Sequence, residues 1–568
     1  MDRQNEWTCD ANDAVEISLV QPTEDDKKLT TDSTFYPQFT YPIFGDKETI
    51  FGYRNLNIRL RFAAHDLQSH VHISYDEKFK QVEDITATDL LGTLKPYLPE
   101  ASFSTLDEFT KNISHSDHAA KFTPPGKRVH SYSKDGRDYE IWSGSLANPE
   151  VRKILDRLQI FVSFFIEGGT PIETEDFEWT LERWIIYFVY EKHKKPANPK
   201  ASRYSFAGYA TTYRWYFYHP KSSSGAKLGL ESKKGNAFDS FPLSKIPARL
   251  RIAQFLIIKP HQHAGHGSQL YRTIHKVCLN DPTIFELTIE DPNESFDALR
   301  DSNDYHTLKP EFIKHNISIN PNPLHTTPSS GTSTGASSPK PHKHPQVMPT
   351  SLLIPTKTLD ELRHEFKIAP TQFAHLVEMY LLSQIPEIHR GAENVNMTRL
   401  KTQKSRMQNE HDRRYYWWRM LVKQRLYKRH RDMLIQIDKD ERVTKLDETL
   451  QNVEEGYAVL LKAFDERAPQ RAVEIINLDE VVDDMEHGIK KGRPQNETAE
   501  ERAARKEKRR ERRKERAKEL EREAAAEANI NPAAGTKKRT KRKYVVDDDE
   551  DEVEAQPKKA GIKKKVKF

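Results

Sequence analysis

Two acidic residues, Glu290 and Asp291, stand side by side at the end of the apolar run TIFELTI and directly before Pro292. Adjacent carboxylates at the C-terminal end of a strand can take a proton from a reacting group or hold a cation, and α/β proteins commonly place ligands there. The same pair also suits an ordinary strand-end turn. Upstream, QHAGHG at residues 262–267 sets two glycines around one residue, where the apolar run RLRIAQFLII gives way to a helical pattern. Glycine lets backbone approach a ligand closely, and the exposed amides of a helix N-terminus favour an anion such as a pyrophosphate. A plain strand-to-helix turn has the same composition. The loop is not a dinucleotide fingerprint, whose third glycine would fall on Leu270, and no phosphate-loop GxxxxGK run is present.

Two further constellations have their own chemistry. His261, His263, His266 and His275 crowd the loop and the pattern after it. Without paired cysteines or a helical HExxH they do not make a metal motif, and no metal is expected. Residues 413–431, RRYYWWRMLVKQRLYKRHR, interleave aromatic with basic side chains. That pattern fits a phosphate-binding surface, and equally a helix whose inner face is Tyr416, Met420, Leu421 and Leu426.

Elements able to position these groups follow from periodicity. Over residues 36–76, Ile58, Leu60 and Phe62 alternate with Arg59 and Arg61, then Val71, Ile73 and Tyr75 with His72 and Ser74, as half-buried strands do. Residues 150–166 space Val151, Ile154, Leu155, Leu158, Ile160 and Phe161 as a helix, 184–190 read as a buried strand, and 203–218 as an aromatic-rich one. A polar insertion follows at 221–236. Residues 249–258, 260–266 and 267–279 then read as strand, loop and helix, with Leu270, Ile274, Val277 and Cys278 on one helical face. A second strand at 283–289 ends on the carboxylate pair, and Phe296 with Leu299 opens another helix: an α/β unit.

Residues 319–350 are rich in Pro, Ser, Thr and His and read as a disordered linker. Beyond it Phe373, Leu376, Val377, Tyr380 and Leu381, and then Val443, Leu446, Leu450, Val453, Tyr457 and Leu460, repeat at helical spacing. Residues 500–527 suit an isolated charged helix. The end is a charged tail with KKRTKRK at 537–543, DDDEDE at 547–552 and KKKVK at 563–567.

The whole chain has 568 residues, 36% hydrophobic and 31% charged, with a net charge of +5 that arises towards the C-terminal end. Its two cysteines, Cys9 and Cys278, are far apart, which points to a reducing compartment rather than a disulfide framework. Neither a signal peptide nor an apolar stretch of about 18 residues is present, so secretion and membrane spanning are not expected.

Gln262, Gly265 and Gly267, as Q-x-x-G-x-G after an apolar strand, resemble the acetyl-CoA loop of the GNAT acetyltransferases. FLIIKP before that loop, LTIEDPNESFDALRD after it and FGDKETIFGYRNL near the N-terminus together resemble the type B histone acetyltransferase catalytic subunits, fungal-like with an extended charged tail. The resemblance runs over residues 36–306. One departure stands out: His263 and Ala264 occupy positions where the family pattern has Gly and Gln.

The resemblance implies an α/β (α+β) fold: a mixed N-terminal domain at 1–145, a GNAT-like catalytic core at 146–318, the linker at 319–350, a helical domain at 351–470 and the tail at 471–568. It implies acetyl-CoA as co-substrate, its pantetheine arm beside the backbone of Phe255, Leu256 and Ile257. The pyrophosphate would be cradled by Gln262, His263, Ala264, Gly265, His266, Gly267 and Ser268, with Asn293 a further cofactor contact. A lysine ammonium, with a reference pKa of about 10.4, must lose a proton before it attacks a thioester. Glu290 matches the family base, Asp291 and Glu182 its other carboxylates, and a backbone N–H near Leu256 its oxyanion donor. Asp46, Lys47, Glu48, Tyr213, Arg214 and Trp215 match contacts to the substrate. That substrate would be the N-terminal tail of newly made, non-nucleosomal histone H4, acetylated before chromatin assembly. A WD-repeat histone-binding chaperone would be the partner. The basic run at 537–543 resembles a nuclear import signal read by an importin, which implies nucleus and cytoplasm as locations. The competing reading is a non-catalytic chromatin or nucleic-acid-binding protein.

Overall fold

In the computed structural model, the residues described are 6–23, 28–114, 118–174, 178–196, 199–216, 246–323, 348–390 and 409–467. The insertion at 221–236, the middle of the expected linker, the charged segment at 500–527 and the tail lie outside them. Strands β1 (Val15–Pro22), β2 (Leu29–Phe35), β3 (Asn57–Ala63) and β4 (Ser69–Ser74) form a sheet in the order β2-β1-β3-β4. In β3 the alternation is realised directly: Ile58, Leu60 and Phe62 are fully buried, while Arg59 faces solvent.

A second sheet takes six strands: β5 (Lys127–Lys134), β6 (Arg137–Ser145), β7 (Trp184–Lys192), β8 (Tyr204–Tyr216), β9 (Ala248–Ile257) and β10 (Ile284–Ile289), in the order β10-β9-β8-β7-β6-β5. Every neighbouring pair is antiparallel except β9 with β10. Helix α1 (Pro149–Phe165) starts where Asn148 accepts the Glu150 N–H and Pro149 fixes the first turn. It buries Val151, Ile154, Leu155, Leu158 and Phe161 between the two sheets, with the Phe161 ring 4.8 Å from that of Phe62. Direct bonds also join the sheets, since the Phe206 N–H donates to Ala64 O at 2.7 Å and Gln21 donates to Ser205 at 3.0 Å.

The boundary expected at 145/146 is therefore displaced. Strands β5 and β6 precede it yet belong to the central sheet, and one apolar cluster spans Val15 to Ile258. A domain cannot end inside a sheet whose strands share backbone hydrogen bonds.

On the other face lie α2 (His266–Asn280) and α3 (Glu294–Lys314), and over them α4 (Thr356–Phe366), α5 (Pro370–Ser383), α6 (Glu410–Arg429) and α7 (Lys439–Arg467). Alternate residues serve the two faces: Tyr187 and Val189 meet the helical layer, while Ile186, Phe188 and Tyr190 meet α1 and the first sheet. A single apolar cluster runs from Ile141 through Leu270 and Phe312 to Phe464, so the helical layer continues the core of the six-stranded sheet. The expected linker starts later than 319, because Ile319 is buried and Asn320 donates to Leu352 O at 3.0 Å.

The aromatic-basic run forms α6, and its inner face is Tyr415, Trp418, Leu421, Val422 and Leu426; Tyr416 and Met420, expected inside, are half-buried at its margin. Neighbouring aromatics shift the helical phase by one residue, since either Tyr415 or Tyr416 satisfies the spacing. Trp418 donates to Glu378 O at 2.9 Å, and Arg425 grips the Glu378 carboxylate with two bonds of 2.8 Å while Tyr457 donates to it at 3.0 Å. The run's largest aromatics are thus consumed in packing. Among the described residues no helix is long and apolar enough to cross a membrane.

Glu378→Gln should lower unfolding free energy by about 2 kcal/mol, because it removes the buried carboxylate that pairs with the half-buried Arg425 guanidinium. Urea denaturation measures this; a loss below about 1 kcal/mol, the range of exposed pairs, would show that Glu378 and Arg425 do not hold α5 to α6.

Candidate active site

Strands β9 and β10 run parallel only from Ala248 to Ile252 on one side and Ile284 to Ile289 on the other. The last link is the Glu290 N–H donating to Ile252 O at 2.9 Å. The chain then turns away through Asp291, whose φ of +42° lies in the left-handed region, to Asn293, which caps α3 by accepting the Phe296 N–H at 2.8 Å. Strand β9 continues to Ile257, paired with β8 alone. A register shift opposite Thr211 and Thr212 leaves Ala253 as a bulge where the two strands part. From Ala253 to Ile257 the β10-facing edge of β9 has no strand partner among the described residues. This splay leaves backbone donors and acceptors for an extended chain to pair with, in the manner of an added strand. Phe255 lines it against Phe296, ring centroids 5.0 Å apart, and Gln262 closes its far end by donating to Ile257 O at 2.7 Å.

The loop beyond β9 turns through two left-handed residues, His263 at φ +60° and Gly265 at φ +79°. The first explains why glycine suits position 263: a Cβ there opposes the following carbonyl. Helix α2 begins after Gly265, which has no side chain to cap it, and amides at such a helix N-terminus favour an anionic acceptor. Gly267 sits where a Cβ would come within 2.8 Å of Leu299 Cδ1, which sets α2 close against α3. Ser268 is buried and accepts from the Asn303 amide at 3.1 Å. The splay and the uncapped helix end fit an extended ligand that terminates in an anion, as acetyl-CoA does.

The histidines go separate ways. His266 Nδ1 bonds the Tyr132 hydroxyl at 2.8 Å, His275 Nε2 donates to Phe366 O at 2.8 Å, and among the described residues no group of three potential ligands is placed to hold a metal ion. Burial, with His266 adding to it for His261 and Lys134 for His266, pushes both His261 and His266 down to about 4.

Glu290 is half-buried at the mouth of the splay, and Tyr213, directly opposite Arg251 in the pairing of β8 with β9, lies near enough to feel the carboxylate's charge. Burial first and the Glu290 charge second raise the Tyr213 pKa above the ordinary tyrosine value. Trp215, 40% exposed, lies under the Arg251 guanidinium at 4.8 Å. Asp291 is exposed beside the pair. Of the expected substrate residues, Tyr213 thus lies within reach of the Glu290 charge and Trp215 against Arg251, whereas Arg214 on the opposite face pairs with Asp281 and donates to Thr283 at 2.9 Å. Alternation along β8 forces that division. Glu182 ends a one-turn helix, Glu178–Glu182, and is exposed; its charge is felt by Tyr216. Asp46 and Lys47 are exposed on a turn, while Glu48, at φ +52°, accepts the Thr40 N–H at 2.8 Å and so braces that turn.

Two residues not anticipated belong here. Gln254, buried in β9, donates to Thr170 O at 2.9 Å and is met by the Tyr209 hydroxyl at 3.2 Å. Arg251 is only 5% exposed. Their signal was present in RLRIAQFLII, where a buried strand retains a charge and an amide.

Comparison with known proteins follows the same lines. The family model described as "Histone acetyl transferase HAT1 N-terminus" matches residues 7–167. The histone acetyltransferase type B catalytic subunit of Aspergillus oryzae is 57% identical over 467 residues, 82% of this chain and 88% of its own. Its Aspergillus fumigatus counterpart is 57% identical over 464 residues, 81% and 78% of the two chains, and that of Pyricularia oryzae 38% identical over 489 residues, 85% and 96%. With the splayed sheet, these similarities define a protein lysine acetyltransferase. The chain belongs to the family of histone acetyltransferase type B catalytic subunits.

Two outcomes are expected of the loop. Gly267→Ala should push α2 from Leu299 and weaken acetyl-CoA binding severalfold, as titration calorimetry would record; unchanged affinity would remove this helix end from the cofactor site. His261 and His266 protonate near 6.5 when unfolded and near 4 when folded. The unfolded chain therefore takes up protons first, so stability is fully present above pH 6.5 and falls towards pH 4. His266→Gln should flatten that limb of a Tm-against-pH curve; an unaltered slope would assign it to other groups.

Proposed function

We propose that this enzyme transfers the acetyl group of acetyl-CoA to lysines in the N-terminal tail of newly synthesised histone H4, before chromatin assembly, with Glu290 as general base. The observation that carries this reading is the parting of β9 from β10 with Glu290 at the point of parting. Acetyl-CoA, when bound, supplies the thioester carbonyl that the lysine attacks. Backbone groups of Phe255, Leu256 and Ile257 would pair with its arm, and the first amides of α2, with Gln262 to Ser268, would hold its pyrophosphate. An N–H of the unpaired β9 segment would donate to the carbonyl oxygen as it gains charge.

Glu290 accepts the lysine proton, with the Tyr213 phenol near enough to feel the carboxylate's charge. Asp291 adds negative charge that favours the lysine's approach. Tyr213 and Trp215 would flank the aliphatic part of the lysine, and the exposed Asp46 would meet basic residues of the tail. The curated relatives are named histone acetyltransferases and catalytic subunits, which supports a histone substrate and a partner subunit; a WD-repeat histone-binding chaperone fits that role. The basic run at 537–543 supports import by an importin and a protein shared between cytoplasm and nucleus.

Glu290→Gln preserves shape but takes no proton, so kcat on an H4-tail peptide should fall on the order of a hundredfold or more while acetyl-CoA affinity holds. Activity of the variant should recover partly at high pH, where more of the lysine is already neutral. Wild-type kcat with chemistry demonstrably rate-limiting would exclude Glu290 as the base.

A further inference from the structure

Helix α2 has no basic residue of its own in its last turn. The last carbonyls of a helix find no partner within it and carry the negative end of its dipole, so a cation there is favourable. That cation comes from a distant part of the chain. Lys367, at the corner between α4 and α5, donates from Nζ to Cys278 O at 2.9 Å, Leu279 O at 3.2 Å and Asp281 O at 2.6 Å. An ammonium has three donors, and the three carbonyls match them in number. The Asp281 carboxylate is taken by Arg214 and Thr283, so Lys367 meets the backbone of that residue.

The backbone of Lys367 is equally committed. It ends α4 in the left-handed conformation, φ +52°, its N–H donates to His364 O at 3.3 Å, and its carbonyl accepts the Leu287 N–H of β10 at 2.8 Å. A lysine in that region carries a steric cost that glycine would not. One residue earlier, Phe366 O accepts from His275 of α2; one residue later, Ile368 bridges to Leu287. The corner thus fastens α2, which begins at the glycine loop, to β10, which leads into Glu290.

Helix α2 has 15 residues, a hydrogen-bonded rod roughly 22 Å long. Near its start it lies close against α3 at Gly267, where a Cβ would come within 2.8 Å of Leu299 Cδ1. A rod held at Gly267 and fixed again at Cys278 to Asp281 has one orientation; released at the second point, it can pivot about the first. We propose that Lys367 is a positioning residue for acetyl-CoA: by holding the C-terminal end of α2 against β10, it aims the amides of the opposite end at the pyrophosphate. This role rests on those amides holding that group. The chemical step should not depend on Lys367, since the Glu290 N–H is held separately by Ile252 O.

The test compares full-length wild type, Lys367→Gln, Lys367→Gly and Lys367→Arg, each well below its Tm. An H4-tail peptide is the acceptor, and the acetyl donors are acetyl-CoA and S-acetylpantetheine, which keeps the arm and lacks the pyrophosphate. Lys367→Gln and Lys367→Gly should raise the KM and the calorimetric Kd for acetyl-CoA roughly threefold to tenfold, the scale of a charge at a helix end, with kcat unchanged. Their kcat/KM with S-acetylpantetheine should match wild type. Lys367→Gly is the sharper variant, because glycine suits the left-handed backbone and only the ammonium is lost. Lys367→Arg should restore most of the affinity, since a guanidinium also donates to carbonyls. Wild-type affinity for acetyl-CoA in both Lys367→Gln and Lys367→Gly overturns the proposal, as does an equal loss with both donors, the mark of a general loosening; either leaves the pyrophosphate reading standing. Equal kcat/KM of the wild type with the two donors overturns that reading and this proposal with it. Should Lys367→Gln fail to fold, Lys367→Gly decides on the same readouts.

Discussion

Backbone amides and carbonyls inside a protein must find partners, and a strand buried in the middle of a sheet ordinarily finds them on both sides. Strand β9 meets that demand along its first half; along its second, where β10 departs at Glu290, one edge has no strand partner among the described residues. The rest of the architecture follows from keeping this edge in place. On one side β8 holds β9 over its whole length; on the other, α3, capped by Asn293, carries the chain away at once. The bulge at Ala253 lets β9 turn its edge as it loses its neighbour. An edge left open in the interior is most stable when an extended group covers it, which is the role the proposed reading gives to the pantetheine arm.

The two faces of the sheet then divide the work. The face towards α2 receives the glycine loop and the helical layer, and the opposite face collects Tyr213, Trp215, Arg251 and Glu290. Alternation along the strands makes this division unavoidable: Arg214 cannot join its neighbours Tyr213 and Trp215, and so serves the fold through Asp281 and Thr283. The parallel pairing of β9 with β10 brings the end of one strand level with the middle of the other. This places the carboxylate beside the slot rather than beyond it.

Much of this was legible in the sequence, unevenly. Strand β9, the loop and α2 stand out because RLRIAQFLII, QHAGHG and the spacing of Leu270, Ile274 and Cys278 each obey one period cleanly. Strands β5 and β6 do not: KRVHSYSK and RDYEIWSGS mix polar and apolar residues without strict alternation, as hairpin edges exposed on one side do. That β5 and β6 join the central sheet was hidden for the same reason, since nothing in a strand's own residues names the sheet it will join. Glu290 and Tyr213 are visible as residue types, but their proximity depends on β8, β9 and β10 lying side by side, which is long-range information. His263 illustrates a subtler limit. Its side chain invites a chemical role, while its φ of +60° shows that the backbone at this position matters to the loop.

The helical layer has a consequence for how the enzyme comes into being. Residues from Ile252, Leu270, Ile274, Leu308 and Phe312 through Phe373, Trp418, Tyr457 and Phe464 belong to one apolar cluster, and the outer edge of β10 is covered by the chain near Ile368, where the Leu287 N–H donates to Lys367 O. A ribosome delivers these parts in order, N-terminus first. When α2 and α3 have emerged, their outward faces, with Tyr271, Leu308 and Phe312, have nothing to pack against, and β10 is a bare edge. The catalytic half of the molecule is therefore exposed through the interval in which the remaining helices are made, and becomes a finished surface only when α7 arrives. Synthesis up to residue 314 yields every residue assigned to the reaction, yet the protein that can hold them in register exists only about 150 residues later.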